Sequence, residues 1–274
     1  MFFRPKGQIN YAVAAGLQQV VEYIQDINFT PDDIGYLRSL NTFDEEFLQY
    51  LTTFKFTGDL YAVREGEIVF PMEPIVIVKA PLIEAQFVET ALLCMINHQT
   101  LIATKADRMT SAAGEGTVVE FGLRRAQGPD AGIYGARASM IGGAIGTSNV
   151  LAGKMFGIPV KGTHAHSWVM SFPDELNAFN AFADMYPDSC LLLVDTYDTL
   201  ASGIPNAIKV FERLRASGHK PVGIRLDSGD LAYLSKQARK MLDDAGFEDA
   251  LIFAGNDIDE NVISALNAQG ARID

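Results

Sequence analysis

Residues 191–230, LLLVDTYDTLASGIPNAIKVFERLRASGHKPVGIRLDSGD, decide the fold of this chain. The segment opens on an apolar run at 191–194, continues through a helical pattern over 200–216, and ends on a second apolar run at 222–226. A short strand, a helix and another short strand in this order predict a β-α-β unit, whose two strands lie parallel in one sheet.

The same alternation extends in both directions from this unit. Six apolar runs are interpreted as strands: 117–121, 148–152, 158–163, 191–194, 222–226 and 251–254. The helical stretches between and after them include 173–185, 200–216, 230–245 and 259–267. Because no GxGxxG follows the first strand, the pattern favours an α/β barrel over a dinucleotide-binding sheet. Residues 271–274 are typical of the entry to a further strand, so we expect an incomplete barrel.

The first part of the chain has a different pattern. Helical spacing covers 11–25, Thr30 is a helix cap followed by proline, and 43–46 opens another short helix. Between 53 and 82, short β-branched runs broken by Gly and Pro predict antiparallel strands. The stretch 82–113 predicts one bent helix or two helices.

This change of pattern predicts two domains. Residues 1–115 form a mixed α+β domain with short antiparallel strands and long helices. Residues 116–274 form the α/β barrel catalytic domain, incomplete at its C-terminus. The predicted fold class is therefore α/β.

Composition excludes several classes of protein. The 274 residues are 48% hydrophobic and 20% charged, which excludes a disordered chain. The 22 Lys+Arg against 34 Asp+Glu give a net charge of −12, which argues against a nucleic-acid partner. Without a long apolar run or a signal-peptide core, we expect a cytoplasmic protein with no membrane partner. Cys94 and Cys190 are expected to be reduced core residues.

Polar residues that follow the predicted strands are the candidates for chemistry, because functional groups of β/α barrels lie at the strand ends. Five runs are followed by such residues: Arg124 and Arg125, His164 and His166, Asp195 and Asp198, Arg225, Asp227 and Asp230, and Asn256 and Asp257. Together they indicate a pocket for an anionic substrate and a divalent metal. The alternative for the two neighbouring arginines is a surface pair.

Structural roles compete with the functional ones. His164 and His166 are two apart on a predicted strand and would share a face, but no third ligand follows at zinc-site spacing. For Asp198 and Asp230 we favour helix capping. For aspartates placed directly at a strand end, a role in the site is favoured.

Five motifs in this order resemble nicotinate phosphoribosyltransferases. They are EFGLRR at 120–125, GTSN at 146–149, GTHAHS at 162–167, VDTYD at 194–198 and IRLDSGD at 224–230, with further similarity at 11–13 and 81–86. The resemblance implies a type II phosphoribosyltransferase fold, with a mixed N-terminal domain and an irregular barrel. It also implies a homodimer with shared active sites.

The reaction implied by the resemblance is glycosyl transfer. Nicotinate and phosphoribosyl pyrophosphate would give nicotinate mononucleotide and pyrophosphate, with ATP as co-substrate and Mg²⁺ as cofactor. This is a step of NAD salvage and hence of pyridine nucleotide biosynthesis. A carboxylate and an arginine suit the charges that develop when the bond from ribose C1 to pyrophosphate breaks.

The resemblance gives site roles to Phe121, Arg124 and Ser148. Phe121 matches the aromatic residue that stacks on the ring, and Arg124 matches a site arginine. Ser148 falls where the family contacts the nicotinate carboxylate. Nicotinamide-using relatives place an acid there, which would repel a carboxylate, so Ser148 indicates nicotinate.

The remaining roles follow the same resemblance. His166 matches the histidine that ATP phosphorylates, and with Asp195 and Asp227 it forms the expected catalytic set. Asp195, Arg225 and Asp227 match residues around the ribose, phosphates and pyridine. Gly255 and Asn256 fall near the ribose-phosphate end. No protein ligand to a metal is expected.

Two alternatives stay open. One is the nicotinamide-using relative. The other is a non-catalytic fragment, because the chain resembles the middle of the enzyme. It begins after the family's Asp-x-Tyr segment and stops before its Gly-rich 5′-phosphate segment.

Overall fold

The computed structural model describes residues 1–4 and 10–274. The chain divides into two compact units. Unit 1 comprises Met1–Asp107, Glu120–Ala144 and Asn149–Ile158. Unit 2 comprises Arg108–Val119, Ile145–Ser148 and Pro159–Asp274. The boundary expected between 115 and 116 stays a prediction.

The described part of the first 113 residues contains short antiparallel strands and helices. In chain order these elements are β1 (Ala12–Val13), α1 (Leu17–Asp26), α2 (Pro31–Ser39), α3 (Glu45–Leu51), β2 (Asp59–Ala62), β3 (Ile68–Val69), β4 (Val76–Lys79) and α4 (Leu82–Ala113). β1 pairs with β3 and β2 with β4, both antiparallel. The prediction of antiparallel strands between 53 and 82 is therefore confirmed. The predicted stretch 82–113 is a single helix.

Local sequence accounts for where these helices begin. Thr30 and Asp33 form a capping box at the start of α2, with Pro31 at the first helical position. α1 begins at Leu17, later than the spacing over 11–25 predicts. The reason is Gly16, whose φ of 101° interrupts the helix and whose added Cβ would lie 2.8 Å from the Met95 carbonyl oxygen.

Unit 2 contains the predicted parallel sheet. β5 (Leu191–Leu193), β6 (Gly223–Leu226) and β7 (Leu251–Ala254) lie side by side in the order β5-β6-β7, all parallel. The helices from 129 onward are α5 (Pro129–Ile141), α6 (Val150–Phe156), α7 (His166–Met170), α8 (Glu175–Met185), α9 (Ile204–Ala216), α10 (Leu231–Asp244) and α11 (Glu260–Ala268). The β-α alternation from 191 onward and the α/β class are thus confirmed.

One apolar core supports this sheet. Leu192, Ile224 and Ile252, one from each strand, are fully buried together with Phe179 and Phe211 of the flanking helices. Burying a side chain of this size is worth about 1.5–3 kcal/mol relative to exposure. The core therefore fixes the strand ends from which the candidate site is built.

Three predicted strands are wrong. Residues 148–152 enter helix α6, because the Asn149 side chain accepts from the Ala152 amide and caps it. Residues 158–163 form only an isolated parallel bridge, Thr147 with Val160. Residues 117–121 form no regular strand in the described structure. A short apolar run has no periodicity that separates a strand from a buried helix or an irregular segment.

Two further findings concern burial. Cys190 is buried as expected, but Cys94 is exposed on α4, so its assignment to the core is wrong. The run around Cys94, residues 91–96, is apolar at every position and so does not reveal which of them face outward. Among the described helices, none combines the length and apolar character needed to cross a bilayer.

Candidate active site

The carboxyl end of β5 carries a buried acid that organises its surroundings. The Asp195 side chain is only 1% exposed. Its Oδ1 lies 3.2 Å from Nε2 of His166. Its Oδ2 accepts from the Asp227 amide at 2.8 Å and from the Ser228 hydroxyl at 2.7 Å. Both oxygens of this carboxylate are therefore used to hold groups from two other segments.

An ion pair lies at the end of the neighbouring strand. Arg225, within β6, donates from Nη2 to Oδ1 of Asp227 at 2.6 Å. The two side chains are 17% and 15% exposed, so solvent screens the pair only partly. The pair gives the strand end a cation and a carboxylate fixed beside each other.

Gly255, directly after β7, makes room for this pair. A Cβ at this position would lie 2.1 Å from Oδ1 of Asp227 and 3.0 Å from Nη2 of Arg225. No side chain fits that space. The resemblance placed Gly255 near the ribose-phosphate end, and its position beside Asp227 brings it into the same cluster as the ion pair.

His166 is the accessible member of the cluster. It begins helix α7, and its side chain is 40% exposed. Nε2 faces the Asp195 carboxylate, which can accept a hydrogen bond from a protonated Nε2, and in that tautomer Nδ1 keeps its lone pair. Among the described residues, Nδ1 has no hydrogen-bond partner. The arrangement leaves one ring nitrogen accessible on a histidine whose ring an acid orients.

His164 has a different environment from His166. The expectation that both project from one face of a strand is wrong, because residues 161–165 have no regular secondary structure and α7 starts at His166. His164 is 7% exposed, and its Nε2 accepts from the Leu193 amide at 3.2 Å. Burial lowers the pKa of His164 to about 4, which keeps the ring neutral near pH 7.

The two aspartates predicted as caps are caps. Asp198 accepts from the amides of Leu200 and Ala201 and begins the π-helical turn Thr199–Gly203. Asp230 accepts from the Tyr233 amide and begins α10. In the described residues, neither Asp198 nor Asp230 donates or accepts a hydrogen bond with the side chains of the Asp195 cluster.

Two family models match the chain. The model described as the nicotinate phosphoribosyltransferase N-terminal domain matches residues 1–97. The model of the nicotinate phosphoribosyltransferase family matches residues 117–269, more than half of the chain. The chain belongs to the nicotinate phosphoribosyltransferase family.

Similar proteins agree with this family. The chain is 54% identical to nicotinate phosphoribosyltransferase of Bacillus subtilis, over 100% of the chain and 56% of that protein. It is 49% identical to the Mycobacterium tuberculosis nicotinate phosphoribosyltransferase pncB2, over 100% of the chain and 59% of that protein. The chain thus spans little more than half the length of these relatives.

Solved structures resemble the chain over almost all of its length. The crystal structure of the human nicotinic acid phosphoribosyltransferase superposes with a TM-score of 0.90 at 33% identity, over 99% of the chain and 66% of the human one. A nicotinate-nucleotide pyrophosphorylase from Pyrococcus furiosus superposes with a TM-score of 0.79 at 23% identity, over 100% of the chain and 62% of that protein, which shows a shared fold.

The remaining residues matched to this family are Phe121, Arg124, Ser148 and Asn256. Phe121 is 36% exposed, and Arg124 lies in the 3-10 turn Leu123–Arg125, both in unit 1. Ser148 follows the bridge of Thr147 and belongs to unit 2, without a hydrogen bond to the cluster in the described residues. Asn256 adopts a left-handed φ of 75° directly after Gly255. Their substrate contacts stay predictions.

Sequence reasoning missed Ser228. Its hydroxyl donates to one oxygen of Asp195, so Ser228 belongs to the same cluster. The signal was available, because a hydroxyl directly follows the strand-end acid Asp227. Its partner is 33 residues away in sequence, and no local pattern reveals such a pairing.

Proposed function

We propose that the chain carries the catalytic core of an ATP-coupled nicotinate phosphoribosyltransferase. This enzyme would transfer phosphoribosyl from phosphoribosyl pyrophosphate to nicotinate, giving nicotinate mononucleotide and pyrophosphate for NAD synthesis. The observation that carries the proposal is the His166–Asp195 pair at the end of β5, in a chain of this family.

The pair suits phosphoryl transfer from ATP. The Nδ1 lone pair of His166 attacks the γ-phosphorus, the bond from that phosphorus to the β,γ-bridging oxygen breaks, and ADP leaves. The Nε2 proton stays on the imidazole, and the Asp195 carboxylate stabilises the positive charge that the ring gains. Asp195 therefore acts through His166, and Ser228 and the Asp227 amide hold Asp195 in place.

The Arg225–Asp227 pair suits the glycosyl step. When the bond from ribose C1 to pyrophosphate breaks, positive charge develops on the ribose and negative charge on the leaving group. The Asp227 carboxylate, oriented by Arg225, would stabilise the ribose cation, and the arginine would attract the anionic groups of the substrates.

Mg²⁺ would be held chiefly by substrate phosphates. In the described residues, no group of three or more His, Cys, Asp or Glu side chains could hold a metal ion. This fits Mg²⁺, which commonly binds one or two carboxylates together with substrate phosphates. Bound Mg²⁺ would neutralise charge on the leaving pyrophosphate.

The pyridine end of the site is proposed on the family resemblance. Phe121 would stack on the ring, Arg124 would bind within the site, and Ser148 would accommodate the carboxylate of nicotinate. Gly255 and Asn256 would lie near the ribose-phosphate end. A homodimer with shared sites and a cytoplasmic location complete the proposal.

An assay of nucleotide formation tests the function. Nicotinate and nicotinamide are compared with phosphoribosyl pyrophosphate and Mg²⁺, with and without ATP. We expect product from nicotinate, increased by ATP. His166→Ala should abolish ATP hydrolysis and its stimulation, whereas His219→Ala, which removes an exposed histidine paired with Asp188, should not.

Other results would favour the alternatives. Equal ATP coupling in wild type and His166→Ala contradicts the assignment of His166. Ser148→Asp should shift preference toward nicotinamide, and an unchanged preference contradicts the carboxylate argument. A folded chain that forms no product with either substrate favours the non-catalytic fragment for these 274 residues.

A further inference from the structure

Side chains hydrogen-bond to the backbone groups of β5 along the edge that faces away from β6. β5 pairs with β6 on one side, and the Arg225 carbonyl accepts from the Val194 amide there. Alternate residues of a strand direct their backbone groups to opposite edges, so Leu191 and Leu193 face the other edge. A strand edge left without partners exposes unpaired backbone groups at a cost in free energy.

Two consecutive side chains occupy that edge. The Thr163 hydroxyl donates to the Leu191 carbonyl. His164 Nε2 accepts from the Leu193 amide at 3.2 Å. The irregular segment 161–165 is thus joined to β5 by side-chain hydrogen bonds where a neighbouring strand would supply backbone ones.

These contacts are in register with the catalytic pair. His164 meets Leu193 and His166 meets Asp195, and both pairs are separated by 29 residues. Moving two residues along each segment therefore leads from the buried His164–Leu193 contact to the His166–Asp195 contact, in which His166 is partly exposed. Fixing the first contact limits where the second histidine can lie.

We propose that His164 is a positioning residue, which holds His166 in register with Asp195 by accepting the Leu193 amide hydrogen. Its catalytic consequence rests on the proposed function of His166. Its structural consequence, the orientation of the His166 ring, does not. Nothing in the phosphoryl-transfer chemistry itself uses His164.

The surroundings of His164 support a role that depends on its Nε2 atom as a hydrogen-bond acceptor. The ring packs edge-on against Phe182, at 4.9 Å between centroids, and near Phe179 at 5.8 Å. Its Nδ1 is buried without a hydrogen-bond partner in the described residues. Leaving a buried polar group unsatisfied costs about 1–3 kcal/mol. An apolar side chain would avoid that cost, but it could not accept from Leu193.

Two substitutions distinguish the hydrogen bond that residue 164 accepts from its packing against the phenylalanines. In His164→Gln, the amide oxygen falls near the position of Nε2 and can accept from the Leu193 amide. In His164→Leu, the side chain fills the apolar space and cannot accept. We expect the glutamine variant to keep the position of His166 and the leucine variant to lose it.

The first measurement is the tautomeric state of His166 by NMR in the ¹⁵N-histidine-labelled chain, assigned with His166→Ala. Wild type and His164→Gln should show a single Nε2-protonated form. His164→Leu should show an average of both tautomers. An unchanged His166 signal in His164→Leu, or equal loss in both variants, overturns the proposal. If the leucine variant does not fold, His164→Asn, too short to reach Leu193, replaces it under the same criteria.

The second measurement is the rate of His166 phosphorylation by ATP. Misplacing a reacting group by about 1 Å costs about 10²-fold in rate. We expect a loss of that order in His164→Leu, with rescue in His164→Gln and no change in the KM of nicotinate. A wild-type chain that is never phosphorylated contradicts the proposed function, whereas the NMR result still decides the role of His164.

Discussion

Gly255→Ala should disrupt the Arg225–Asp227 pair by adding one methyl group. The added Cβ would stand 2.1 Å from Oδ1 of Asp227. Ordinary contacts of a Cβ begin at about 3.4 Å, so the carboxylate must retreat by more than 1 Å. Its 2.6 Å hydrogen bond to Arg225 cannot survive such a movement with good geometry.

The magnitude follows from two contributions. Overpacking at a tight site costs about 1–3 kcal/mol. Loss of a hydrogen bond between charged groups that are mostly buried costs about 1.5–3 kcal/mol. The two contributions are not additive, because moving the carboxylate relieves the overpacking while it breaks the hydrogen bond. We therefore expect the free energy of unfolding to fall by about 3 kcal/mol in total. Nucleotide formation should fall as well, since Asp227 moves.

The assay is urea unfolding followed by circular dichroism. The matched control is Gly35→Ala, at an exposed position within α2 where an added Cβ meets nothing within 4 Å. That control should gain about 0.5–1 kcal/mol, because alanine is the better helix former. The same glycine-to-alanine change thus has opposite signs at the two sites.

A double-mutant cycle identifies the cause. In the Asp227→Ala background the obstructing carboxylate is gone, so Gly255→Ala should cost less than about 1 kcal/mol. An equal cost in both backgrounds would refute the steric argument. So would a Gly255→Ala protein as stable as wild type with the Arg225–Asp227 contact intact.

Three further predictions concern stability and reactivity. Burial opposes ionisation of Glu65, but hydrogen bonds from Arg137 and a backbone amide outweigh it and hold its pKa below the usual value. The stabilisation that ionised Glu65 contributes is complete above the unfolded pKa of about 4.3 and disappears as the pH falls through the lower folded pKa. The Tm difference between wild type and Glu65→Gln should therefore shrink from pH 6 to pH 3. Thr30→Ala removes a capping box and should lower the free energy of unfolding by about 1 kcal/mol in urea titrations, and an unchanged midpoint would contradict the capping assignment. A thiol reagent should label exposed Cys94 in the native chain and Cys190 only after unfolding, because burial raises the pKa of the Cys190 thiol to about 12; two equivalents labelled natively would contradict this.

Much of the fold could be predicted because its signals are local. The runs at 191–194, 222–226 and 251–254 became parallel strands, since helices long enough to cross over separate them. The cap at Thr30 needs only its neighbours within one turn. Asp198 and Asp230 were predicted as caps for the same reason.

The failures share a physical cause. Residues 148–152 carry an apolar run as short as those of the true strands. Asn149 turns that run into a helix by capping it, whereas 158–163 lacks the neighbouring strand that a ladder requires. Short apolar runs take the structure that tertiary partners offer, and those partners are distant in sequence.

The sequence by itself determined the family, the parallel β-α units of residues 191–254 and the chemical inventory at the strand ends. Each of these depends on residue type and spacing along the chain. Tertiary structure alone decided which groups meet: that Asp195 holds His166 and Ser228, and that Gly255 makes room for Asp227. Such contacts join residues about 30 positions apart, and only the packing of strands on a common core brings them within hydrogen-bond distance.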